Sequence, residues 1–276
     1  MSRFLSLAPA VAIAIAGLVL PQSGLAQSYW VNRSQPKTIS LEILKPDFAG
    51  DANTTFTTSV IFLGIQFPVA KKTLIVAELP FAHFGLNEEG YDGQSESAIG
   101  NPYLGLEFGA KNSGVSGEIG VRAPLTSNEK ISAVLTGFFT DFDRLEAFVP
   151  DILSLAGMVN YKYKSAGGAF ARLRGGPVFW IPTGDSEADN ELWLAYGFQA
   201  GYESQQVGFS IGFTGRLLAT EEDLELGERT FHQLGLAADF GLGNVRPGVH
   251  LRLPLDEDLS DVIDMVFGVN LAIQLQ

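Results

Sequence analysis

The chain holds three histidines, His83, His232 and His250, and no cysteine. Thiol catalysis and cysteine-ligated zinc are therefore excluded. None of the histidines stands in a spacing with Ser, Asn or Asp that reads as a nucleophile with its base, and no His/Asp/Glu cluster has metal-ligand spacing. No P-loop or dinucleotide-binding glycine pattern occurs in a strand–helix context. The sequence thus predicts no catalytic residue, no metal and no cofactor. The residues able to act are charges on alternate positions. The acids are Glu42, Glu78, Glu107, Glu118, Glu203, Asp239 and Asp264; the bases are Arg122, Lys162, Arg172, Arg174, Arg216 and Arg252, with His250 beside them. On the wall of a pore such charges orient polar solutes; paired with one another, they fill the space instead.

The elements that must carry them repeat with a period of two. Ile39, Leu41 and Ile43 start the pattern; Leu104, Leu106 and Phe108 continue it, then Val207, Phe209, Ile211 and Phe213, and Met265, Phe267, Val269 and Leu271 close it. This is a strand period, not a helix period. Twelve such segments are predicted, most of them 10 to 14 residues long, against the usual ~5–6 of soluble sheets and the ~9–11 needed to cross a bilayer at a tilt. Short turns, as at 69–72 and 165–167, alternate with long loops, as at 85–98 and 127–153. That asymmetry predicts an all-β fold: an antiparallel up-and-down transmembrane barrel of about twelve strands, formed by residues 27–276 as a single domain. The long loop 127–153 is expected to hold a short helix, because Phe138, Phe139, Phe142 and Leu145 have helical spacing.

The opposite face of the strands decides what the apolar face meets. It holds Gly64, Gly105, Gly120, Gly197, Gly212, Gly235 and Gly268 between the charges. Glycine with mixed-sign charge suits a narrow polar lumen better than the solvent face of a soluble sandwich. Trp180, Trp193, Tyr103, Phe81, Phe84 and Tyr202 lie towards strand ends and are expected in interfacial girdles. A tight turn at 165–167 would set Lys162 beside Phe170 and Asn160 beside Arg172, making a basic patch of Lys162, Arg172 and Arg174; Glu107 would lie near Glu118.

Acids outnumber bases by 31 to 18, a net charge of −13. Nucleic acid, which selects clustered Lys and Arg, is excluded as a partner. Most of the acids fall in the long connections and are expected to form a solvated external rim. Residues 1–26 read as a cleaved secretory signal peptide, with Arg3 before an apolar stretch and Gly24-Leu25-Ala26 as the cleavage site. The expected location is the cell outer membrane, with its lipid and a small-molecule solute as partners; the sequence does not reveal the oligomeric state.

Gly100-Asn101-Pro102-Tyr103-Leu104-Gly105-Leu106-Glu107-Phe108 resembles the glycine-aspartate-x-x-leucine-glycine-x-lysine-tyrosine strand of a family of outer-membrane barrels, the phenol meta-pathway transporters. Ala123-Pro124-Leu125-Thr126 and Ile181-Pro182-Thr183-Gly184-Asp185 are similar to its proline-threonine-glycine strand exits, and Glu78-Leu79-Pro80-Phe81 to an early strand ending in leucine-proline. Asn101 stands where that family has Asp, and Glu107-Phe108 where it has Lys-Tyr. The resemblance implies a barrel moving small apolar or aromatic molecules across the outer membrane. In that reading Glu78, Glu107, Glu118, Arg122, Lys162, Arg172, Arg174, Arg216, Asp239, His250 and Arg252 line the lumen. Two alternatives stay open: a non-transporting structural or surface barrel with a side-chain-filled lumen, and an outer-membrane lipid-active enzyme.

Overall fold

Strands with one apolar and one polar face need an apolar phase on one side only, and closing the sheet removes its unpaired edges. The computed structural model describes residues 28–31, 37–50, 54–87, 95–109, 114–184, 189–221 and 223–275; the expected signal peptide and the turn around residue 112 lie outside them. The strands are β1 (Thr38–Phe48), β2 (Ser59–Ala70), β3 (Thr73–Gly85), β4 (Ser95–Ile99), β5 (Tyr103–Gly109), β6 (Gly114–Arg122), β7 (Ile152–Lys164), β8 (Ala169–Pro182), β9 (Glu191–Glu203), β10 (Val207–Leu218), β11 (Thr230–Phe240), β12 (Val245–Pro254) and β13 (Ile263–Gln274). Apart from β4 and β5, consecutive strands pair antiparallel, and the β1–β13 ladder closes the ring.

β4 and β5 share a neighbour. β3 pairs with β5 through Thr73–Glu78 and with β4 through Phe81–Gly85. Together the two segments form one barrel strand, so the closed barrel has twelve. Pro102, which has no amide donor, marks the break. Gly100 N still donates to Pro80 O at 2.9 Å, but Asn101 N turns inward to Ala147 O at 2.7 Å.

The alternation sets the two faces. On β10, Ser210, Gly212, Thr214 and Arg216 point in, while Phe209 and Ile211 point out and are 58% and 49% exposed. Leu104, Ile119 and Val159 are likewise more than half exposed. A 12-residue strand at the usual tilt rises about 30 Å, the thickness of a bilayer's hydrocarbon core. No helix among the described residues is long and apolar enough to cross a membrane.

The lumen glycines seat rings. A Cβ at Gly105 would come within 2.6 Å of the Tyr103 ring system, and one at Gly120 would overlap it; a Cβ at Gly268 would overlap the His250 imidazole. Glycine in these strand interiors thus permits close approach of a ring to the wall.

Four sequence expectations are corrected. Asp264 is exposed, because the β1–β13 register shifts at Asp47/Phe48 and leaves it unpaired at a bulge. The β7–β8 turn is centred one residue later than expected, on Gly167, with Gly168 at φ +95° and Ser165 N donating to Ala169 O, so Lys162 lies opposite Arg172, Asn160 opposite Arg174, and Lys164 opposite Phe170. Trp180, Trp193 and Tyr103 are buried on the inward face, and Phe84 packs into the interior, so these four are not girdle residues. The loop between β6 and β7 is not a solvated rim element, since it folds into the barrel.

Replacing Gly120 by leucine must displace the Tyr103 ring, at a cost of about 1–3 kcal/mol for overpacking. Gly117, where a Cβ would meet only Met158 O at 3.9 Å, should accept alanine. Thermal unfolding followed by heat-modifiable gel mobility is expected to show a lowered midpoint for Gly120→Leu and little change for Gly117→Ala.

Candidate functional site

The lumen is occupied from both ends by the protein's own chain. From the long-loop end, α1 (Ile131–Thr140) and a 3₁₀ segment, Phe142–Ala147, enter the barrel. From the short-turn end, Ser28–Val31 reaches the middle, with Tyr29, Trp30 and Val31 each at most 3% exposed.

The helix is built for burial. Thr136 and Thr140 are buried, but each hydroxyl donates to a carbonyl one turn back, on Ser132 and Thr136. The Glu96 carboxylate accepts from Ser132 N at 2.9 Å, placing an anion at the helix N-terminus. Ala133 and Val134 pack against Leu44, Val60, Phe62, Ala82 and Ile263; across the lumen Phe142 and Leu145 pack with Trp180, Trp193, Met158 and Val178. The outer part of the lumen is therefore apolar, and Trp193 stacks on Phe231 with ring centroids 5.6 Å apart.

Below lies a charged layer centred on Arg144. Its guanidinium donates to Glu78 Oε2 at 2.6 Å, to Glu42 Oε2 at 2.7 Å and to Asp141, and its Cζ lies 3.4 Å from the Phe62 ring centroid. Arg252 reaches Glu42 Oε1 at 2.7 Å and Asp141 Oδ1 at 3.0 Å; Arg122 reaches the other Glu78 oxygen at 2.6 Å. Glu146 pairs with Arg216 at 2.7 Å. Burial alone would raise the Glu146 carboxyl, but Arg216 and Arg122 overcome it and hold the group below the usual range. His250 sits between Glu42 and Arg252 at 3.4 and 3.3 Å. Asn101 fixes the loop: its amide donates to Glu146 O and Val149 O and accepts from Leu125 N and Thr126 N.

The layer nearest the short turns has its own pairs. Lys162 binds Glu203 at 2.8 Å, Arg172 donates to Gln199 at 3.0 Å, and Asp239 pairs with Arg246. The Tyr103 hydroxyl donates to Glu118, and Glu107 stands opposite Glu118 as the sequence predicts. Arg174 lines the central cavity, about 40 Å³, with Arg122, Arg144, Arg216, Tyr29 and Tyr103; that space holds a few waters and no larger solute. Tyr29 donates to Arg172 O at 3.1 Å, and burial pushes its phenol up to about 12 against the pull of Arg172 and Arg174.

The eleven residues expected to line the lumen occupy inward positions of their strands. The structure joins Glu78, Arg122, Arg216, His250 and Arg252 into the Arg144 network, and leaves Lys162, Arg172 and Asp239 in separate pairs. The network's centre was missed. Arg144, Asp141 and Glu146 belong to a loop expected outside. Their signal is in the sequence: charges at 141, 144 and 146 set among Phe138, Phe139, Phe142, Leu145 and Phe148 make a segment too apolar to stay in water.

Two histidine contacts lie on the outer face near the long loops, where the sequence showed no constellation. His83 Nδ1 is 2.9 Å from Ser97 Oγ on the neighbouring strand. His232 Nδ1 is 2.9 Å from Asp256, and its Nε2 is 2.7 Å from the Tyr196 hydroxyl. Neither forms a three-residue His/Asp/Glu group able to hold a metal ion, and none does among the described residues.

No family model matches the chain, and no curated protein sequence matches it. Solved structures do. An outer-membrane channel of Pseudomonas putida F1 superposes with a TM-score of 0.60 at 10% identity, covering 92% of this chain and all of that one. The NanC porin gives 0.54 at 5% identity over 87% of this chain, and LpxR of Salmonella typhimurium 0.52 at 8% over 86%, each covered in full. At these identities the shared property is the barrel fold.

Arg144→Ala removes one partner from each of three buried carboxylates, a loss worth about 3–5 kcal/mol. The loop should then be cut within residues 123–151 by an external protease that leaves the wild type intact, while the barrel stays resistant. Fragment mass spectrometry checks this.

Proposed function

We propose that the protein is an outer-membrane channel passing small apolar or aromatic molecules, shut at rest by two segments of its own chain. One observation carries the reading: much of the lumen is filled by residues 28–31 and 123–151, not by side chains of the wall alone. Eight-stranded barrels are filled by side chains and sixteen-stranded ones leave a channel; a twelve-stranded wall leaves room that separable segments here occupy. The wall beneath them supports the solute class, with Trp180, Trp193 and Phe231 above and a charged belt below. The likeness of fold to an outer-membrane channel agrees with this reading, as does the apolar outer face with placement in that membrane. Lumen-lining residues then act once the segments move, with Glu78, Arg122, Arg216 and Arg252 exchanging loop partners for water or solute.

Planar-bilayer conductance and liposome swelling test it. Wild type should conduct weakly, and Arg144→Ala or deletion of residues 28–31 should raise conductance and solute flux several-fold. A flux unchanged by either change, in barrels that still show heat-modifiable mobility, would instead identify a permanently filled structural barrel.

A lipid-active enzyme is the second reading, favoured by the His83–Ser97 contact on the outer face. Among the described residues no carboxylate bonds to His83, so the base lacks the orienting group of a full triad. If the contact is structural, wild type and Ser97→Ala incubated with outer-membrane lipids will release equal, background amounts of fatty acid. Release lost in Ser97→Ala would establish the enzyme.

A further inference from the structure

Trp30 is held as a ligand would be. The six-membered ring of its indole rests against Gly212 and Gly235, which face each other across the β10–β11 ladder; a Cβ would come within 3.0 Å of the ring at 212 and 2.5 Å at 235. Tyr29 closes one side edge-on, with centroids 5.6 Å apart and planes at 89°. The indole N–H donates to Asp143 Oδ2 at 2.9 Å. The two glycines make a floor that no other residue permits, and the carboxylate reads a donor on the ring edge.

Trp30 does not satisfy the site. One strand position further out, Thr214 and Gln233 form the next cross-strand pair on the same inward face, 5% and 3% exposed. The Thr214 hydroxyl and the Gln233 amide nitrogen have no hydrogen-bond partner. Two buried polar groups beside a ring-shaped slot cost free energy unless an occupant meets them.

From these contacts we infer that the Gly212–Gly235 slot is a binding site for planar aromatic solutes bearing N–H or O–H groups, and that Trp30 is its resident competitor. The inference rests on the channel reading, whose path the slot adjoins. A solute ring replaces the indole on the glycines, gives its donor to Asp143, and offers its remaining polar groups to Thr214 and Gln233. A tethered competitor acts at an effective concentration of about millimolar, so only solutes that use the unpartnered groups displace it readily.

Indole itself is the probe, measured by equilibrium dialysis against the full-length barrel in detergent. Trp30→Gly should bind indole about tenfold more tightly than wild type. Adding Gly235→Val, or Gly212→Val should the first variant not fold, should abolish that gain. Indene, the same shape without the N–H, should bind Trp30→Gly more weakly than indole, and Asp143→Ala should erase the difference. Equal indole binding by wild type and Trp30→Gly, or a gain that survives valine at both glycines, overturns the site. The two readings fail separately: indole bound without solute flux removes the channel and keeps the site, whereas flux without the gain removes the site and keeps the channel.

Discussion

A carboxylate buried inside a barrel must be paired, and Glu42 and Glu78 are both almost fully buried on neighbouring parts of the wall. Arg252 and Arg122 supply one partner each from the wall itself. The remaining oxygens are met by a single guanidinium from a loop, Arg144, whose planar fork of donors spans both carboxylates and Asp141 together. Everything above depends on that contact. It holds the 3₁₀ segment at the level where Trp30 finds Asp143, and it holds α1 against the apolar wall. Asn101 then pins the returning chain through the break between β4 and β5, so the irregular strand and the folded loop are one structural event.

The strands, their faces and the closed topology were legible because the period of two is long-range and redundant: a dozen segments repeat it, and one slip would turn a whole face outward. That the charges from Glu78 to Arg252 share the inward face was legible for the same reason. Individual partners were not. The pairing of Lys162 with Phe170 failed because the turn is centred on Gly167 and not one residue earlier, which moved the β7–β8 register by two positions and put Lys162 opposite Arg172. Asp264 failed through a bulge. Trp180 and Trp193 were assigned to the lipid boundary because strand-end aromatics commonly sit there, yet their parity already placed them inside. The loop was the larger miss, since acidic residues in a long connection read as solvated until the phenylalanines between them are counted.

Glycine abundance acquires a specific meaning in this wall. Tyr103 covers Gly105 and Gly120, His250 covers Gly268, and Trp30 covers Gly212 and Gly235. A lumen crossed by two chain segments has little radial space, and removing a Cβ lets a ring lie directly on the sheet. All three rings so seated belong to side chains that also bond to charged groups: Tyr103 to Glu118, Trp30 to Asp143, and His250 to Arg252. Ring seating and charge pairing are therefore coupled through these three side chains.

That coupling bears on how such a lumen opens. The loop mates with the wall twice, through an apolar layer at α1 and an ionic layer at Arg144, and the two respond to opposite conditions. Water entering the ionic layer solvates its charges and weakens its pairs, but water against Ala133, Val134 and Phe142 is unfavourable. An apolar solute does the reverse: it replaces the contacts α1 makes with Trp193 and Phe62 while leaving the carboxylates paired. In the channel proposed, water alone would therefore not open the outer layer, whereas an apolar aromatic solute would reach the layer it can replace before the one it cannot. Within that proposed channel, the order of the layers, apolar outside and charged within, would favour solutes that carry both kinds of group.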